Sequence, residues 1–170
     1  IYRLTGKKIR LSSNYVVYWE YMEKAEEFLR TRWKSYFGKG SQDNAIFRVF
    51  EKHGIVPEED YVCRRTVNGI LQDEPIYNEV FSTMTSAMAA KDFNKKTTLQ
   101  KVQTILNNHL GEPPVKINMD GKLITPREYL KDVVKINPSD YVCILSLMKS
   151  PYYQKAEYPV SDIWWHSRDY

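Results

Sequence analysis

The sequence predicts a mainly helical α+β chain. Apolar residues recur at three- and four-residue spacing in four separate stretches, the signature of helices with one buried face. One Asp-Gly pair, Asp120-Gly121, lies between short apolar runs and reads as a hairpin turn. One short apolar run, YVCILSL, has the length of a buried strand. At 170 residues the chain is one domain, or one domain with an insertion, and long enough to bury a core.

The first helix spans 12–33, with Ser12 or Ser13 as its cap. Tyr15, Trp19, Met22, Ala25, Phe28, Leu29 and Trp33 form its apolar stripe, whose plainest use is core. Glu20 with Lys24 and Glu26 with Arg30 stand four apart, in the stabilising order for a wet face. The next stretch reads FGKGSQDNAIFRVFEKHGIVPEEDY. Ser41 is a natural cap, Ile46, Val49, Phe50 and His53 mark one face, and Gly54 is placed to end the helix in the left-handed conformation. His53 suits the C-terminal end of the helix dipole, and Pro57 turns the exit into extended chain.

A third helix spans 73–92, with Asp73 and Pro75 in its first turn and a stripe of Tyr77, Val80, Phe81, Met84, Ala87 and Met88. A fourth spans 97–110, with Thr97 or Thr98 as cap and Gly111 as its stop. The Asp120-Gly121 hairpin follows, then TPREYLKDVV, a capping box with Thr125 as cap, Pro126 in the first turn and Glu128 reaching back. Asn137 to Asp140 turn the chain into the apolar run, and the segment after it is irregular and aromatic.

Composition removes several function classes. The hydrophobic fraction of 42% argues against disorder. Thirteen tyrosines and four tryptophans suit surfaces where a ring buries one face and keeps its polar tip wet. The net charge of +4 is dispersed, so nucleic acid is a disfavoured partner. No stretch reaches bilayer length and no targeting segment is visible, so a membrane partner is not expected and the compartment stays open.

No complete catalytic constellation is present. GKGSQD has the wrong glycine spacing for a phosphate loop and lacks its lysine-serine pair. His53, His109 and His166 have no metal-ligand spacing, so no metal or other cofactor is expected. Cys63 and Cys143 lie in apolar settings and read as buried structural thiols, while their pairing in a disulfide stays open.

The order of three stretches resembles the papain-like cysteine peptidases, in the bleomycin hydrolase and aminopeptidase C branch. These are TGKKIRLSSNYVVYWEY, then GKGSQDNAIFRVFEKHGIVPEEDY, then LITPREYLKDVVK with DYVCILSL and IWWHSRDY. The resemblance covers nearly the whole chain, and no single motif in it is diagnostic. It implies a partial papain-like fold: a helical half over 1–69 with a cleft loop, an insertion over 70–137, and a strand and return over 138–170.

The resemblance also implies a substrate-binding loop of Gly38, Lys39, Gly40 and Ser41, whose backbone pairs with an extended peptide. Lys39-Gly40 stands where the family has a glycine pair, and the Lys39 side chain would point away or into a subsite, favouring acidic or polar groups. The family's nucleophilic cysteine, its histidine base and the orienting asparagine match no residue of this chain. The expectation is a segment of a peptidase with these groups upstream and downstream. Its partners would be a peptide substrate, the flanking segments and, as in this branch, further copies of itself. The alternative from another class is a non-enzymatic helical module that binds a peptide or protein.

Overall fold

In a computed structural model, the structure describes residues 1–41, 44–62, 66–67, 70–92 and 94–141. Cys63, Cys143, the apolar run after Tyr141 and His166, with what the sequence leads one to expect of each, lie outside them. A short helix α1 (Tyr2–Thr5) leads to α2 (Ser13–Arg30), α3 (Asn44–His53), α4 (Asp73–Ala89) and α5 (Lys95–Leu110). Strands β1 (Thr66–Val67) and β2 (Ile70–Leu71) pair antiparallel between α3 and α4. Strands β3 (Ile117–Met119) and β4 (Lys122–Ile124) pair antiparallel after α5. Helix α6 (Pro126–Glu128) runs directly into a π-helical stretch, Tyr129–Val134, and a 3-10 turn, Pro138–Asp140, follows. The described residues are therefore mainly helical with two small antiparallel strand pairs, the class the sequence predicts.

Local chemistry sets several of these boundaries. Ser12 caps α2 by accepting from the Tyr15 backbone N–H, and its own hydroxyl donates to the Tyr61 carbonyl at 2.7 Å. Thr125 and Glu128 form the reciprocal capping box. Asp120 and Gly121 both hold positive φ, as a two-residue hairpin turn of the favoured hand requires. Gly54 ends α3 at φ +77°, and its bare α-carbon lies against the Pro126 carbonyl and the Arg127 amide. The exit after it is extended, with the Ile55 N–H donating to Pro126 O and Ser12 N–H to Val56 O.

Other boundaries depart from the sequence reading. Helix α2 ends at Arg30, and Arg32 and Trp33 follow with positive φ, so Trp33 is outside the helix. Helix α5 starts two residues earlier than expected, because Asn94 caps it through the Thr97 N–H. Helix α4 stops at Ala89 rather than running to 92. Ile46 is 43% exposed; Ala45, one position before it, is buried beside Val49 and Phe50.

Helix α2 packs on both α3 and α5, and α5 packs on α4. The buried cluster joins Tyr15, Tyr18, Tyr21 and Phe28 of α2 with Val80 and Met84 of α4 and Val102 and Leu106 of α5. The tyrosine hydroxyls find partners at the edge of this core, Tyr18 on Asn107 at 2.8 Å and Tyr21 on Asp73 at 2.6 Å.

Candidate functional site

The candidate loop, Gly38 to Ser41, crosses helix α2. Its anchor is Lys24, which lies three residues from Tyr21 and four from Phe28 and so shares their inward face. Lys24 is only 3% exposed. Its ammonium donates to the Gly38 carbonyl at 3.1 Å and to the Gly40 carbonyl, with the Glu20 carboxylate 3.7 Å away. Ser41 donates its hydroxyl to Glu20. Two carbonyls and one hydroxyl of the loop are thus tied to one turn of α2.

Below the loop the charges continue inward. Arg48 of α3 bonds Glu20 and Glu23, each at 2.8 Å, through different nitrogens. Glu23 also meets His53 Nε2 at 2.9 Å and Lys52 at 3.4 Å. The His53 ring stacks on Trp19, with centroids 3.9 Å apart and planes 9° from parallel. Glu20 and Glu23 are 7% and 5% exposed, so this is a buried network that persists because its members are paired.

Burial and pairing pull these groups in different directions. Burial raises the Glu20 carboxyl above its ordinary value, and the Ser41 hydrogen bond and the Arg48 charge oppose that only in part. Burial pushes Glu23 the same way, but hydrogen bonds from His53 and Arg48 and the charges of Arg48 and Lys52 win, leaving it at about 2. Burial lowers the Lys24 ammonium, with Glu20 opposing.

The sign for stability follows from Glu23. Its folded value lies below the ordinary 4.5, so its contribution is complete above pH 4.5 and is lost as pH falls toward 2. Allowing for partial screening by solvent, that loss is about 2 kcal/mol. Glu20 has the opposite sign and offsets part of it. Urea midpoints measured from pH 6 down to pH 2.5 should fall in the acid limb, and Glu23→Gln should flatten that limb. An unchanged limb in Glu23→Gln would assign the acid sensitivity to other groups.

The sequence reading placed Glu20 and Lys24 on a wet face, and this is corrected. The spacing was right, but the loop and α3 cover the pair. Glu26 does not pair with Arg30 either; it takes Lys95 at 2.7 Å, while Arg30 takes Glu27 at 2.5 Å. Ser41 is not the residue on which α3 starts, since the helix begins at Asn44 and the Ser41 hydroxyl is spent on Glu20. The Lys39 ammonium meets Glu74 at 3.1 Å and lies above the Tyr77 ring at 5.4 Å. That pair is solvent-exposed and contributes little.

The two loop glycines differ. Gly40 holds φ +70° and a side chain there would meet nothing within 4 Å. Gly38 is covered by the Tyr36 ring, which a side chain at Gly38 would strike. Sequence reasoning missed Lys24, Glu20, Glu23 and Arg48 as parts of this site. The signal available was the pair of aromatic residues flanking Lys24 on its own side of the helix, Tyr21 three before it and Phe28 four after it.

Among the described residues, no group of three or more His, Cys, Asp or Glu side chains could hold a metal ion. No helix among them is long and apolar enough to cross a membrane.

The fold has a solved counterpart. The chain is similar to PepW from Lactobacillus rhamnosis HN001 (DR20), solved as a selenomethionine derivative, with a TM-score of 0.55 and 24% identity. The match covers 79% of this chain and 38% of PepW, so the likeness is to part of that protein. No family model and no curated protein matches the chain. The fold is thus similar to that of a portion of PepW.

Proposed function

We propose that this chain is a segment of a cysteine-type peptidase of the bleomycin hydrolase and aminopeptidase C kind, and that Gly38 to Ser41 line its substrate cleft. A thiolate and a histidine base carried outside these residues would perform the hydrolysis. The division into a helical half, an insertion and a return segment belongs to this reading. So do peptide as substrate, flanking segments as partners, and self-association.

The observation that carries the reading is the loop itself. Its carbonyls at Gly38 and Gly40 are held from within, while Gly40 takes a backbone shape that favours glycine and faces open space. A backbone held in one shape, and bare at one position, is what an extended peptide needs in order to pair with it as an added strand. The fold shared with part of PepW and the order of the three sequence stretches support the same reading.

The test uses the longer parent chain with a fluorogenic peptide. Hydrolysis abolished by an epoxide inhibitor of cysteine peptidases is the expected result. Gly40→Val should raise the dissociation constant of a peptidyl inhibitor about tenfold or more, through one or two lost backbone hydrogen bonds of about 1 kcal/mol each plus a steric clash. A parent without inhibitor-sensitive hydrolysis would transfer the assignment to the peptide-binding module. Unchanged affinity in a folded Gly40→Val protein would reduce the loop to a helix entry.

A further inference from the structure

The Lys24 ammonium spends its donors on the loop backbone. An ammonium has three N–H groups and no acceptor. Here two partners are loop carbonyls, Gly38 O at 3.1 Å and Gly40 O, and Glu20 stands nearby at 3.7 Å. Burying such a charge is unfavourable unless it is bonded on all sides. An apolar side chain of similar length would fill the space without that penalty but could not hold the two carbonyls.

We propose that Lys24 is the positioning residue for peptide binding on the Gly38–Ser41 loop, an inference that rests on the reading of that loop as a peptide cleft. Lys24 belongs to an 18-residue helix packed on two others, so its ammonium is a fixed point. Gly38 and Gly40 give the loop backbone freedom that would otherwise have to be frozen when a peptide binds. Lys24 freezes it in advance. Glu20 completes the clamp by taking Ser41 on the far side and keeping the ammonium paired. Arg48 in turn neutralises Glu20, so the loop is fixed by a chain of charges running from α3 through α2.

Without Lys24, the loop would hold its binding shape for only part of the time. Apparent affinity falls by that fraction, so a loop competent one-tenth of the time binds about tenfold more weakly. Lysine is also specific here. Arginine keeps the charge, but its larger planar guanidinium cannot take the place of a compact ammonium in this buried space without shifting the carbonyls it meets.

The experiment uses the parent chain with Lys24→Met, which keeps the aliphatic stem, and Lys24→Arg, which keeps the charge. Gly54→Ala, whose new methyl meets Pro126 and Arg127 rather than the loop, is the control for lowered stability. Two quantities are read under conditions where circular dichroism shows each variant folded. One is the rate of tryptic cleavage after Lys39; the other is the dissociation constant of a tripeptide aldehyde. Both Lys24 variants should be cut faster after Lys39 relative to their other tryptic sites and bind the aldehyde about tenfold more weakly, while Gly54→Ala shifts neither that ratio nor the affinity. If Lys24→Met does not fold, Lys24→Arg carries the comparison.

Unchanged cleavage in a folded Lys24 variant would overturn the positioning role, as would equal changes in Gly54→Ala. Faster cleavage with unchanged aldehyde affinity would also overturn it, because the loop would then be held by Lys24 for no purpose in binding. Failure of the peptidase reading shows separately, as a parent chain with no inhibitor-sensitive hydrolysis.

Discussion

Gly54→Ala is expected to destabilise the protein by about 3–5 kcal/mol. Two terms act together. A side chain at φ +77° incurs left-handed strain of about 1–2 kcal/mol. The new methyl would also lie closer than 3.0 Å to the backbone of Pro126 and Arg127, which no side-chain rotation relieves. Either the turn after α3 or the start of α6 must move, and that would break the Ile55 N–H to Pro126 O bond as well. Thermal unfolding should report a fall of roughly 10 °C, at about 2–4 °C for each kcal/mol in a protein of this size. A change below 2 °C would mean that α6 is not seated on this glycine.

Arg48→Ala should be comparably severe, at about 3–5 kcal/mol, because it takes the shared arginine from two buried carboxylates at once and leaves each with weaker charge compensation. Glu20 and Glu23 both lose a bond of 2.8 Å, and neither can reach water without opening the contact between α2 and α3. Replacing the arginine together with Glu20 and the other buried cation on it, Arg48→Met with Glu20→Met and Lys24→Met, should recover much of the loss, because Glu23 keeps His53 and Lys52. The arginine's contribution is then mainly to neutralise its neighbours. Denaturant midpoints for the single and triple variants measure this. Equal loss in both would show that the charges themselves stabilise the fold.

Local signals in the sequence located the parts of the fold that local chemistry determines. Ser12, Thr125, Gly54 and the Asp120-Gly121 turn each act where they were expected, because a cap or a turn is settled within a few residues of chain. The charge network was not legible in the same way. Spacing puts Glu20 beside Lys24, but it does not say what covers them, and the cover is a loop 14 to 16 residues further along the chain. Ser41 misled for a related reason, since a hydroxyl ahead of a helix can serve the helix or a distant carboxylate with equal ease. Only the fold decides between them.

The depth of the α2–α3 network also governs how the protein responds to its ionic surroundings. Counter-ions screen charges they can approach, over about 10 Å at 0.1 M salt, and reach buried pairs far less. Exposed pairs such as Arg10–Glu58 and Lys39–Glu74 fade as electrolyte is added. The set of Glu20, Glu23, Lys24 and Arg48 is sheltered from it. The glycine loop therefore keeps its shape from dilute buffer to concentrated salt, while the outer surface around it changes its electrostatic character.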